Sequence, residues 1–481
     1  MSLSALEPRI VWEQFEAITR VPRPSKNEGK IIEFLEEFAR SRGLEYRKDQ
    51  TGNVLIKVPA TPGMEQRPAV VLQSHMDMVC EKNADVDFDF LTEGIRTRID
   101  GGWVCAEGTT LGADCGIGMA AALAVLIADD LPHGPVGALF TVDEESGLTG
   151  AFNLGEGMID ARYLINLDSE DEGEIFIGCA GGIDTMATFP LEREAAPAGH
   201  TFFRINISGL RGGHSGDNID DGLGNSNKIM ARLLLQASER CGLRLSSFEG
   251  GNLRNAIPRE AAALAALPAE KSAEFAALFD RFSEEVRAEY RIADPGLTLA
   301  CTPAEGCAEV LTAPLQQRLL RALVGVPDGV LAMSRTMPGL VETSTNLASV
   351  KFRPEGIVVS SSQRSSVESA KLYAAAAVEA VYTLAGAGVT HTEGYPGWTP
   401  DPDSRLLEIT RSCYRQLFAA EPNVRAIHAG LECGLFLKKY PGLEMVSFGP
   451  TLRGVHSPDE RLEIATVDKF WRLLAAVLRS L

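Results

Sequence analysis

Residues 136–147 read VGALFTVDEESG, an apolar run that stops at three consecutive acids, Asp143, Glu144 and Glu145. A short stretch rich in Val, Leu and Phe, bounded by turn residues, suits a strand buried on both faces. Two more runs, at 69–73 and 163–167, share that composition. Between the runs, residues 117–128 and 148–158 read as helices. This strand–helix alternation over about 68–182 predicts an α/β unit: a mainly parallel sheet with helices on both faces. Sites in such sheets gather beyond the carboxyl ends of the strands, which is where the acids stand.

The rhythm changes after residues 179–182, CAGG. FFRINISGL (202–210) reads as a strand and 224–240 as a helix. Ala-rich helical segments are expected near 259–292 and 312–324, then a strand at 356–363 and a helix near 366–385. The pattern predicts an inserted α+β domain over 186–390. GYPGWTPDPDS (394–404) is a turn-rich return segment. Because His456 must rejoin residues far upstream, the expected first domain comprises 1–185 and 391–481.

A chain of 481 residues is long enough for two or three domains. Its 46 Lys and Arg against 65 Asp and Glu leave a net charge of -19, which argues against nucleic acid and anionic membranes as partners. The longest apolar stretch, MAAALAVLIA at 119–128, falls short of the roughly 20 residues a membrane span needs. The amino-terminal residues show no basic segment followed by an apolar run, so no secretory signal is expected. Nine cysteines without a CxxC pair suit reduced thiols in a cytoplasmic protein. Cys115 reads either as a small core residue or as a reactive thiol.

Five side chains, each placed where an apolar run ends or a glycine-framed loop begins, form a ligand set for two metal ions. They are His75 in VVLQSHMDMVC (70–80), Asp114 in TTLGADCGIG (109–118), Glu145, Asp168 in YLINLDSED (163–171) and His456 in GVHSPDE (454–460). Two histidines and three carboxylates, one able to bridge, are what a hydrolytic two-metal site requires. Each signal is modest alone: His75 and Asp77 also read as a strand-end polar pair, Asp114 as a helix cap and His456 as a loop residue. Three acids at a buried strand end are costly unless cations neutralise them. Asp77, two residues beyond His75, is placed to orient the imidazole. Glu144 is placed to take a proton while its neighbour Glu145 ligates. Elsewhere, His214 in RGGHSGDNI (211–219) sits in a glycine turn that permits close approach of a ligand, and it reads equally as an exposed turn residue. Asn255 and Arg364 are candidate binders of a substrate amide and carboxylate, and each also has a purely structural reading.

HMD, GADCGIG, DEESG, NLDSED, GGHSG, NAIP, HAGLECG and VHSPDE follow the order seen in the co-catalytic zinc aminoacylase, carboxypeptidase and dipeptidase family. From about residue 8 to its end the chain resembles the dipeptidase branch of that family, through phrases such as HMDMVCEKN (75–83). The resemblance implies two zinc ions, replaceable by manganese or cobalt. It implies that Asp114 bridges them, with His75 and Asp168 on one and Glu145 and His456 on the other. Asp77 then orients His75, and Glu144 is the general base that lets a shared water attack the peptide carbonyl. A cis peptide after Asp114 is implied as well. The inserted domain resembles the family's lid and dimer surface, so a homodimer is expected, with His214 stabilising the oxyanion. Asn255, Arg364 and Gly430 would hold the substrate. The implied reaction is hydrolysis of dipeptides with a free amino terminus, Xaa-His among them. The alternatives are an N-acyl amino acid deacylase with the same machinery and a metal-free binding protein, against which stands the full set of ligands.

Overall fold

The structure is a computed structural model that describes residues 2–481, and the chain divides into two compact units. The first comprises the chain up to Gly178, Pro400–Ala426 and Glu432–Leu481; the second comprises Cys179–Thr399 and Ile427–Leu431.

The first unit is built on an eight-stranded sheet. Its centre is parallel: Val136–Thr141, Val70–His75, Tyr163–Asn166 and Glu444–Ser447 lie side by side in that order. The first three are the apolar runs of the sequence, and every residue of them is buried. Antiparallel strands extend the sheet, Val54–Val58 and Glu45–Lys48 on one side and Glu174–Cys179 on the other. The helix Ala113–Ile127 packs on Val70–His75 and Val136–Thr141, and Arg9–Thr19 packs on that helix in turn. Its stretch from Ile117 to Leu126 is buried all round, as a helix between a sheet and another helix must be. The helix expected over 148–158 is reduced to a single turn, Thr149–Phe152, preceded outside that span by another, Glu144–Gly147. Leu148, between them, has a left-handed φ of 57°, and Gly155 and Gly157 follow too soon for the helix to resume.

The second unit carries a nine-stranded antiparallel sheet. Its core strands include Gly181–Phe189, His200–Ser208, Val341–Arg353 and Gly356–Ser365. Helices Ser226–Cys241, Ser272–Tyr290, Ala313–Gly325 and Glu368–Leu384 supply the rest of this unit's layers. The Ala-rich segment read as helix from 259 begins instead as a strand, Ala261–Pro268, paired with His200–Ser208 and Arg244–Gly250. Alternate alanines there fill the core beneath Phe248 and Leu234, and packing overrides the helical preference of alanine. Among the described residues, no helix is long and apolar enough to cross a membrane.

Candidate metal centre

The carboxyl ends of the three parallel strands present the first ligands. His75 is the last residue of its strand and pairs in register with Thr141, after which the chain runs into Asp143, Glu144 and Glu145. Asn166 ends the third strand, and Asp168 follows two residues later. The Asp114 loop and the His456 loop close over them. Asp114 Oδ1 lies 3.1 Å from His75 Nε2, and Asp114 Oδ2 lies 3.1 Å from His456 Nε2. The same His75 nitrogen is 3.2 Å from Asp168 Oδ1, while His456 Nε2 is 2.9 Å from Glu145 Oε2. Asp114 therefore faces one histidine–carboxylate pair with each oxygen. The peptide bond between Asp114 and Cys115 is cis.

This arrangement fits metal ions. Donor atoms of His75, Asp114 and Glu145 all lie within 4.8 Å of one another, as do those of His75, Cys115 and Asp168. Asp168 Oδ1 is buried and, although close to His75, receives no aligned hydrogen bond. Burial opposes charge on His75, but Asp168, Asp114 and Asp77 outweigh it and hold the imidazolium far above its ordinary pKa. Hydrogen bonds to Asp114 and Glu145 push His456 up to about 11. Burial and the Asp114 charge lift Asp168 to about 6, against the pull of His75. Carboxylates crowded in this way draw protons onto the imidazoles, the same demand for positive charge that a divalent cation meets. His456 adopts φ 64°, a conformation sparsely populated by non-glycine residues, of the kind found where a side chain must be aimed.

Supporting residues fix the ligands. Asp77 is fully buried; it accepts Ser25 Oγ at 2.7 Å and the backbone N–H groups of Glu144 and Glu145 at 3.0 and 3.2 Å. Its Oδ1 is 3.3 Å from His75 Nδ1. Burial would raise its pKa, but His75, Ser25 and the Glu144 amide bring it down to about 2, so Asp77 stays ionised. Asp143, at φ 51°, receives Ser146 Oγ at 2.8 Å and the Thr149 hydroxyl. Among the described residues Glu144 makes no side-chain hydrogen bond, and burial, reinforced by Asp168, Glu432 and Glu145 against His75, holds its pKa well above the ordinary value. The Cys115 thiol is buried, donates to the Leu167 carbonyl at 3.3 Å and has its pKa pushed well up by burial, so it is no reactive thiolate.

In the second unit, His214 and Arg364 come together, with Arg364 Nη2 3.4 Å from His214 Nε2. Asp217 Oδ2 lies 3.1 Å from the other His214 nitrogen. Asn255 is exposed next to the His214 turn, and its carbonyl accepts the Ser215 N–H at 2.8 Å. Gly430 lies against the Tyr395 ring, which a Cβ there would approach to 2.8 Å.

Residues 71–480 match the sequence profile of peptidase family M20/M25/M40. The chain belongs to that family. Its full length is 44% identical to the cytosol non-specific dipeptidase of Escherichia coli, over 100% of this chain and 99% of the relative. The crystal structure of aminoacylhistidine dipeptidase from Vibrio alginolyticus is likewise 44% identical and superposes with a TM-score of 0.94, covering 100% of this chain and 98% of that one. A tripeptidase from Staphylococcus aureus, 15% identical with a TM-score of 0.56 over 99% and 98% of the two chains, shares the fold alone.

Three residues of this M20/M25/M40 peptidase that support the site escaped the sequence reading. Glu460 sends its carboxylate to four backbone N–H groups of the bridging loop: Leu111 at 2.7 Å, Gly112 at 3.0 Å, Ala113 at 2.7 Å and Asp114 at 3.4 Å. Arg23, 1% exposed, donates to the carbonyls of Met76, Asp77 and Gly112, tying the His75 strand end to the same loop. Gly112 leaves room for it: a Cβ there would lie 2.6 Å from Arg23 Nη2. Glu432, also 1% exposed, receives Gln73 Nε2 at 2.6 Å and Thr141 Oγ1 at 2.7 Å on one oxygen, and its other oxygen has no partner. Gln73 is linked onward to Asn166 at 2.6 Å and Asn166 to Ser447 at 2.5 Å, a polar belt across the strand ends just beneath the ligands. The acids of VHSPDE and HAGLECG were visible as motif letters, but nothing local to them showed which distant backbone each one holds.

Proposed function

We propose that this chain is a metal-dependent dipeptidase that cleaves dipeptides with a free amino terminus, Xaa-His among them. The observation that carries the reading is Asp114, one carboxylate turned to two histidine–carboxylate pairs. The full-length identity to a cytosol non-specific dipeptidase and to an aminoacylhistidine dipeptidase supports the substrate class.

Asp114 would bridge two zinc ions, for which manganese or cobalt can substitute, with His75 and Asp168 on one and Glu145 and His456 on the other. Bound there, the ions would supply Lewis-acid polarisation of the scissile carbonyl and acidification of a water. Asp77 keeps the His75 ring in one orientation through Nδ1. Glu144, whose affinity for a proton is raised by burial and by the carboxylates around it, would as the carboxylate accept the proton of the attacking water and return it to the leaving amine. From the second unit, His214 would stabilise the developing oxyanion, and Asn255, Arg364 and Gly430 would hold the substrate. We assign residues 1–185 and 391–481 to catalysis and 186–390 to a lid that also dimerises. Exposed Val330, Leu331 and Met333 along the edge strand Gly329–Met333 support a homodimer through that domain. The relative's cytosolic designation supports a cytoplasmic location.

The test is hydrolysis of a panel, metal restored after chelation, setting Xaa-His and other dipeptides against tripeptides and N-acetyl amino acids. Metal-dependent cleavage of dipeptides, abolished by Glu144→Ala, is the expected result. Cleavage confined to N-acetyl amino acids would make the chain a deacylase instead.

A further inference from the structure

The second unit contains a buried cation without an anion. Arg364 is 7% exposed, and among the described residues no carboxylate forms an ion pair with it. Its Nη1 donates to Tyr395 Oη at 3.1 Å, and its Nε has no partner. The nearby Asp217 is within electrostatic reach of the guanidinium but is engaged with His214 and makes no ion pair with Arg364. A buried charge is ordinarily paired, so this one is built to receive an anion.

Tyr395 belongs to the return segment GYPGWTPDPDS, which reads in the sequence only as a turn-rich connection. Its surroundings fix it tightly. Its backbone N–H and carbonyl both pair with Gly182, at 2.8 and 3.0 Å. The same carbonyl accepts Nζ of Lys371, a lysine only 2% exposed, at 2.6 Å. The ring is held between two glycines: a Cβ at Gly182 would come within 2.7 Å of it and one at Gly430 within 2.8 Å. Because Tyr395 Oη accepts from Arg364, its own proton is free to be donated. His428 stands in the same cluster, 6% exposed, with Nε2 2.7 Å from Ser344 Oγ and Nδ1 unpartnered. Burial and the Arg364 charge push its pKa down to about 4, so it adds no second cation.

We infer that Tyr395 is a specificity-determining residue, its hydroxyl donating, beside Arg364, to the carboxylate of the substrate's carboxyl-terminal residue. The inference rests on the dipeptidase reading and deepens it. A charge-assisted O–H···O⁻ bond added to the arginine distinguishes a free carboxylate from an amide, whose neutral oxygen gains far less from either donor. This makes the free carboxyl terminus a requirement written into the second unit.

The experiment compares alanyl-histidine with alanyl-histidinamide in the metal-restored wild-type enzyme and in Tyr395→Phe, which keeps the ring between its glycines. In the variant, KM for the free acid is expected to rise about tenfold or more with kcat within about twofold, while the amide changes by less than about twofold. An acid-to-amide preference unchanged in Tyr395→Phe overturns the inference and leaves the dipeptidase reading standing. Calorimetric titration of the same two compounds into Glu144→Ala protein, with and without Tyr395→Phe, separates the two failures. If the wild-type enzyme cleaves neither compound, the dipeptidase reading falls. Tyr395-dependent preference for binding the acid still supports the subsite, and equal or absent binding of acid and amide overturns it.

Discussion

Asp114 Oδ2 lies 3.1 Å from His456 Nε2, a contact that joins residues 342 positions apart. The other oxygen of the same carboxylate is 3.1 Å from His75 Nε2. Asparagine has nearly the same shape but offers one acceptor oxygen and one N–H₂ donor, so it can serve only one side. Asp114→Asn is expected to fold, to hold at most one metal ion per chain where the wild type holds two, and to lose at least about a hundredfold in kcat/KM. Elemental analysis after dialysis, alongside the rate, checks this. Two tightly held ions in the variant would exclude Asp114 as the bridge.

Glu144 is half-buried beside the candidate ligands, and among the described residues its carboxyl group has no hydrogen-bond partner. Glu144→Gln removes the proposed proton acceptor and keeps the volume. The expected outcome is a fall of about 10² to 10⁴ in kcat with metal content and melting temperature unchanged. A variant that retained more than a tenth of wild-type kcat would move the base elsewhere.

The sheet of the first unit was legible because buried parallel strands leave a local signature: three short apolar runs, each ending in a polar residue that the topology gathers at one edge. His75, Glu145 and Asp168 were readable for the same reason. The Ala261–Pro268 strand was not, because alanine takes whichever conformation its neighbours impose, and those neighbours are His200–Ser208 and Arg244–Gly250. Glu460 and Glu432 were hidden differently. Their function is to bond backbone and side chains more than 290 positions away, and a spacing that long leaves no pattern in one sequence.

Glu460 accepts from four successive backbone N–H groups, so it sets the path of the loop that presents Asp114. Glutamine would keep one acceptor oxygen and turn an N–H₂ group toward the remaining donors. Glu460→Gln is expected to weaken metal binding by about 10- to 100-fold and to speed hydrogen exchange of the amides from Leu111 to Asp114. Competition with a chelator gives the first quantity and exchange mass spectrometry the second. Unchanged affinity with faster exchange would show that the loop tolerates slack.

Glu432 gives the protein a pH dependence of known sign. Burial, opposed by the Thr141 hydrogen bond and His75, raises its pKa from 4.5 to about 8. Between those values the folded chain holds a proton that the unfolded chain releases, so stability is greatest below the unfolded value and falls as pH rises toward the folded one. Glutamine at 432 is neutral throughout and keeps an oxygen for Gln73 and Thr141. In chelator-treated protein, where bound cations do not mask the effect, Glu432→Gln should melt progressively higher than wild type as pH is raised from about 5 to about 8. The gap is expected to reach about 4 kcal/mol near pH 8. A difference in melting temperature that stays flat across this interval would mean that Glu432 is already ionised in the folded chain, held by charge closer to the ligands than by the belt beneath them.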